Sequence, residues 1–132
     1  MLCWRWLSST HQLTFTKDKN ENNPRWSRDA SFFVFSSNRD AAAGAPTQQL
    51  YMMHANGGEA QKITDVKDGV GNFAFSKDGK WLAFSAGKTD EQQVMMLPVA
   101  GIDTAKAQPL TKHATPVGWW SFSNDGKQFY FV

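Results

Sequence analysis

Apolar residues in this chain fall in short runs rather than along a helical stripe. Phe32-Phe33-Val34-Phe35 and Trp81-Leu82-Ala83-Phe84 are bounded by Ser or Lys, and Phe129-Tyr130-Phe131 follows Asp125-Gly126-Lys127-Gln128. No window sustains an i, i+3, i+4 apolar pattern flanked by helix caps. Short aromatic and β-branched runs between turn residues predict strands.

The runs recur. Arg25-Trp26-Ser27-Arg28-Asp29-Ala30-Ser31-Phe32-Phe33-Val34-Phe35-Ser36 aligns with Ala74-Phe75-Ser76-Lys77-Asp78-Gly79-Lys80-Trp81-Leu82-Ala83-Phe84-Ser85. Both align with Ser121-Phe122-Ser123-Asn124-Asp125-Gly126-Lys127-Gln128-Phe129-Tyr130-Phe131-Val132. Ser27, Ser76 and Ser123 are 49 and 47 residues apart. Gln12-Leu13-Thr14, Lys62-Ile63-Thr64 and Pro109-Leu110-Thr111 precede these serines, with Thr-to-Ser gaps of 13, 12 and 12. Gln49-Leu50-Tyr51-Met52-Met53 matches Gln93-Val94-Met95-Met96-Leu97. The unequal spacing is absorbed in Asp40 to Pro46, a stretch of loop composition.

Each repeat reads as four strands. The first ends at the aromatic residue before the serine. Asp78-Gly79 and Asp125-Gly126 then turn the chain, because glycine accepts the positive φ of a tight hairpin. The second strand is Lys80 to Phe84, or Ser31 to Phe35. The third is Gln49 to His54, or Gln93 to Pro98. Asn56-Gly57-Gly58 leads into the fourth, Ala60 to Thr64; its counterpart is Lys106 to Thr111. The first copy has Asp29-Ala30 where the others have Asp-Gly, which predicts a different turn type there. Four-stranded units at a period of 40–50 residues are the sequence form of a β-propeller blade. The expected fold is therefore all-β, a partial β-propeller of about two and a half four-stranded antiparallel blades. Its expected parts are an irregular start (1–11), an outer strand (12–16), a blade (23–65), a second blade (72–112) and a half blade (116–132).

Composition narrows the class. The chain has 132 residues, 41% hydrophobic and 20% charged, about one domain's worth with an ordered core. Fourteen Lys and Arg against twelve Asp and Glu give +2, too little to argue for nucleic acid or an anionic membrane. No apolar run approaches the ~18 residues of a spanning helix. A single cysteine, Cys3, excludes an internal disulfide and a cysteine-built metal site. Met1 to Leu7 is apolar but interrupted by Arg5, with no clear cleavage site, so it does not read as a secretory signal. Localisation stays open between cytoplasm and periplasm.

The repeats resemble the WD40-like (PD40/TolB-type) propeller repeat, aromatic-Ser-Pro-Asp-Gly-Lys followed by an apolar strand ending Ala-Phe. The matching residues are Phe75-Ser76-Lys77-Asp78-Gly79-Lys80-Trp81-Leu82-Ala83-Phe84 and Phe122-Ser123-Asn124-Asp125-Gly126-Lys127. Arg28, Lys77 and Asn124 stand in the proline slot. That family divides mainly between TolB-like periplasmic propellers and the N-terminal propellers of prolyl-oligopeptidase-type serine peptidases. Ser36-Ser37-Asn38-Arg39-Asp40, Gln49 to Met53, Asn56-Gly57-Gly58-Glu59-Ala60, Ile63-Thr64 and Asp68 to Phe73 resemble the peptidase branch. Acylaminoacyl- and dipeptidyl-peptidase-like members are the most similar. The resemblance implies a non-catalytic propeller that gates substrate access to a hydrolase domain. Its implied partners are further blades, that domain and a peptide substrate. The alternative is a TolB-like interaction scaffold at the cell envelope; a small oligomerising β protein is a distant third. A ring takes about four blades or more, and the hydrolase would carry Gly-x-Ser-x-Gly, which is absent here. The expectation is a piece of a longer chain.

Nothing in the sequence builds a catalytic centre. His11, His54 and His113 lack a nucleophile elbow or an oxyanion hole, and no spacing supplies zinc ligands. Asp78 and Asp125 lack the Asp-x-Asp-x-Asp-Gly of a calcium loop and read as turn residues. No cofactor is expected. Lys77, Lys80 and Lys127 read as solvated charges at strand edges. Met52-Met53 and Met95-Met96 read as packing between blades. Trp120 is expected on the core face of its strand, with Trp119 at the blade interface. Glu21, Glu59 and Glu91 do not form the glutamate pair with which dipeptidyl-peptidase relatives hold an amino terminus.

Overall fold

The computed structural model describes residues 12–42 and 47–132. The expected irregular start, with Cys3 and His11, lies outside the described residues, as do positions 43–46 of the loop. The described residues form three antiparallel sheets and contain no helix, so none is long and apolar enough to cross a membrane. The first sheet is β1 (Glu21–Trp26), β2 (Phe32–Ser37), β3 (Gln49–His54) and β4 (Gln61–Lys62), paired in that order. The second is β5 (Val70–Phe75), β6 (Trp81–Ala86), β7 (Gln93–Pro98) and β8 (Gln108–Pro109). The third holds β9 (Trp120–Phe122) and β10 (Phe129–Phe131). The protein is thus an all-β partial propeller in which each sheet is a blade or part of one.

The two middle strands of each full blade carry the ladder. Six residue pairs join β2 to β3 and six join β6 to β7. The innermost strands are both bulged near their middle, between Asn22 and Arg25 and between Val70 and Phe73, one residue apart in the repeat alignment. Asn23 takes φ 54 inside the first bulge. Pro24, beside it, lacks an N–H and is tolerated because β1 is an edge strand.

The outer strands are shorter than their sequence repeats suggest. β4 and β8 have two residues each, where 60–64 and 106–111 were expected. A side-chain clamp takes over from the ladder. The Leu50 N–H donates to Thr64 Oγ1 at 2.8 Å, and that hydroxyl donates to Gln49 Oε1 at 2.8 Å. Gln49 Oε1 also accepts from the Val66 N–H, and its Nε2 donates to the Val66 carbonyl. The second blade repeats the arrangement with Val94 N–H, Thr111 Oγ1, Gln93 and the backbone of His113. The residues expected as an outer strand at 12–16 carry no strand. Among the described residues, no Gln-bearing third strand stands beside Thr14 to complete such a clamp.

Because side chains alternate across a strand, each sheet has two faces to fill. Phe32, Val34, Leu50, Met52 and Ile63 of the first blade meet Val70, Phe73, Leu82, Phe84, Leu97 and Ile102 of the second. Phe84, Leu82, Leu50 and Leu97 are wholly buried there, each stabilising the fold by about 1.5–3 kcal/mol. On the other side of the second blade, small Ala83 and Val94 receive Val117 and the large rings of Trp120, Phe122 and Phe129. Met52 and Met95 belong to the first seam; Met53 instead faces outward with Phe33, Phe35 and Tyr51 on the far side of the first sheet. Adjacent residues on one strand point to opposite faces, so Met52 and Met53 pack on opposite sides of the first sheet.

Candidate functional site

The repeated turns are built alike. Ser76 Oγ donates to Asp78 Oδ1 at 2.5 Å and accepts from the Trp81 N–H at 3.0 Å, while Asp78 Oδ1 accepts from the Lys80 N–H. Ser123, Asp125, Lys127 and Gln128 repeat this. So do Ser27, Asp29, Ser31 and Phe32. Gly79 and Gly126 have φ 74 and 72. They are also places of close approach. A Cβ on Gly79 would lie 2.8 Å from Arg28 Cβ, and one on Gly126 would lie 2.8 Å from the Asp78 nitrogen. Each turn therefore rests on the turn of the preceding blade. Asn56-Gly57-Gly58 differs: its glycines have φ 94 and 106 but open space around them.

Ala30 overturns the expectation of another turn type in the first copy. Its φ is 58, the same left-handed conformation as the two glycines. The Ser27–Asp29–Ser31 hydrogen bonds hold the turn despite the steric cost of a Cβ there, about 1–2 kcal/mol. All three aspartates sit below the usual carboxylate range. Hydrogen bonds from Ser31, Ser76 and Ser123 respectively are the leading cause, reinforced by backbone N–H groups.

A polar cluster caps the outward face of the first blade. The Arg39 guanidinium lies 5.2 Å from the centre of the Phe35 ring and 4.9 Å from that of Tyr51, and it pairs with Glu21. Tyr51 donates to Asp40 at 2.6 Å. Burial, then the Asp40 carboxylate, raises the Tyr51 phenol well above its ordinary range. Burial works against the Glu21 charge, but hydrogen bonds from Thr14 and Thr16 and the Arg39 charge hold its carboxyl below the usual range. Glu21 is thus a fixed partner of Arg39. The two are 18 positions apart in sequence, and no local pattern joins them.

The third feature is a cleft of about 270 Å³ between the innermost strands of the second and third sheets. Asn72, Phe75, Lys77, Trp119, Trp120 and Ser121 contribute to its walls. Trp120 packs on the core side of its strand as expected, whereas Trp119 does not lie in the blade interface. Trp120 lies in the seam, its Nε1–H donating to Ser85 Oγ at 2.8 Å. Trp119 stands before β9 and is 55% exposed. It occupies the position, four residues before the turn serine, that Asn23 and Asn72 hold in the other copies. Lys77 is exposed at the mouth, and no acidic side chain lines the cleft.

Other candidate groups remain scattered. His54 is exposed at the end of β3, and His113 is exposed with its ring 4.9 Å from that of Phe131. Lys80 and Lys127 are exposed beside their turns. Among the described residues, no three His, Cys, Asp or Glu are grouped so as to hold a metal ion.

No family model matches the chain. It is 30% identical over 110 residues to the uncharacterized peptidase YuxL of Bacillus subtilis, a match covering 83% of this chain and 15% of that protein. The chain therefore spans a small part of that relative's length. Among solved structures, the putative TolB of Agrobacterium tumefaciens superposes with a TM-score of 0.66 at 21% identity, covering 90% of this chain and 39% of that one. The repeated Ser-x-Asp turns, the stacked four-stranded sheets and these two likenesses agree: the chain is a partial β-propeller of TolB-like fold, similar in sequence to part of a peptidase.

Proposed function

We propose that this chain is part of the non-catalytic propeller of a prolyl-oligopeptidase-type serine peptidase, where the propeller gates the entry of peptides to a hydrolase domain. The 30% identity to a peptidase along 83% of the chain carries this reading. The described residues fit the role in what they supply: stacked sheets, rigid turns and an inner cleft, rather than a nucleophile. The TolB-like envelope scaffold is the second reading, favoured by the structural likeness; that likeness speaks to fold alone, so the peptidase reading stands first.

The coding DNA on either side of the frame tests it. A downstream Gly-x-Ser-x-Gly strand-to-helix turn, followed by Asp and His, is the expected result. Flanking sequence that encodes further blades with no hydrolase domain overturns the reading in favour of the scaffold. If the hydrolase is present, removing the propeller should raise cleavage of long peptides relative to short ones.

A further inference from the structure

We propose that the cleft between β5 and β9 is a binding subsite for the carboxyl-terminal residue of a peptide, preferring an aromatic side chain. Its chemistry is complementary to that group. The Lys77 ammonium makes no ion pair among the described residues, and no carboxylate lines the walls to compete for it. A free carboxylate satisfies it with a charge-assisted hydrogen bond. Trp119 offers an indole face that the fold does not consume, whereas Trp120 is spent on Ser85 and the seam. A large exposed aromatic beside a groove is a stacking platform for another ring. β5 and β9 each pair with a strand on one side only, and apart from the Val70 N–H, which donates to the Gln48 carbonyl, their other edges can meet a peptide main chain. At about 270 Å³ the space falls just below the ~300–1,000 Å³ of sites that enclose a drug-sized ligand. It suits one terminal residue rather than an extended segment.

The choice of a peptide rests on the peptidase reading above; the preference for a carboxylate and a ring rests on Lys77 and Trp119 alone. The asymmetry among repeats supports a dedicated role. Asn23 and Asn72 are small polar residues at the position where the third copy places tryptophan.

The test is titration of the full chain with N-acetyl-Gly-Gly-Phe and with its carboxyl-terminal amide, followed in ¹H–¹⁵N spectra. The acid should shift the Trp119 indole and the Lys77 amide saturably, and the amide should bind at least fivefold more weakly. Trp119→Ala should abolish the shifts. Lys77→Gln should bring the acid down to the level of the amide. Both side chains are exposed, so thermal melting of each variant should match the parent chain and show that it is folded. Shifts that are absent, or spread over the surface, overturn the proposal, as does Lys77→Gln binding the acid as well as the parent does. Binding in a protein whose gene encodes no hydrolase domain would keep this subsite and overturn the peptidase reading instead.

Discussion

Gly126 rests against Asp78 across the second seam, so closely that a methyl group on Gly126 would lie 2.8 Å from the Asp78 backbone nitrogen. Gly79 stands in the same relation to Arg28 across the first seam. Glycine here answers two demands at once, a left-handed backbone and a neighbouring blade within contact.

Gly126→Ala and Gly79→Ala should each destabilise the fold by more than the ~1–2 kcal/mol that a Cβ costs in the left-handed region. Ala30→Gly should do the reverse. It removes that strain, and the gain is reduced by the extra freedom of glycine in the unfolded chain, leaving about 0.5–1 kcal/mol of stabilisation. Urea denaturation of the three variants gives the comparison. A Gly126→Ala protein as stable as the parent would refute turn-on-turn packing.

The Thr64 hydroxyl links the Leu50 N–H to Gln49 Oε1 in a buried clamp. Thr64→Val keeps the shape and strands both groups, which should cost about 1–3 kcal/mol. Thr111→Val should cost a similar amount in the second blade, where the same three groups meet. Thr64→Ser, which keeps the hydroxyl, should recover most of the loss. Equal melting temperatures for Thr64→Val and Thr64→Ser would show that the clamp contributes nothing.

Trp120 and Ser85 form a side-chain hydrogen bond between blades, and a double-mutant cycle isolates it. Trp120→Phe and Ser85→Ala should each lose about 1 kcal/mol. The double variant should lose less than the sum. Strict additivity would mean that the bond does not couple the sheets.

Acid should weaken the three turns together. Asp29, Asp78 and Asp125 have folded-state pKa values below the ordinary one, so their charged forms stabilise the native chain. That contribution is complete above the ordinary aspartate range, about pH 4, and is lost as pH falls from there through the lower folded-state values. Stability against urea should be flat from pH 7 to 5 and decline below 4. The triple Asp→Asn variant keeps an acceptor oxygen at each turn and removes the titration. Its acid decline should be shallower, with Glu21, shifted in the same direction, supplying part of what remains. An unchanged acid limb in the triple variant would exclude the turns as its source.

The sequence made the blades legible because strand and turn signals are local. β3 and β7 begin and end where the repeated Gln-to-His and Gln-to-Pro segments do, and β1, β5 and β9 end at the aromatic residue before the serine. What escaped was fixed across space. Ala30 adopts a conformation that its own chemistry disfavours, because the surrounding serines and aspartate hold it. Thr64 and Thr111 were visible as repeats, and so were Gln49 and Gln93. Their meeting depends on how far the outer strand runs before a side chain replaces the ladder. Period-two alternation assigns Met52 and Met53 to opposite faces once the strand is accepted, and that signal was available. The exposure of Trp119 turns on where β9 begins, and repeat alignment does not give that boundary.

The outer strands β4 and β8 have two residues each, and Pro109 in β8 has no N–H to give. Exposed strand edges are where foreign strands add and aggregates start. A rim that offers two residues of ladder, one of them proline in β8, gives an incoming strand almost nothing to copy. The outside of these two blades is therefore protected against edge-to-edge growth.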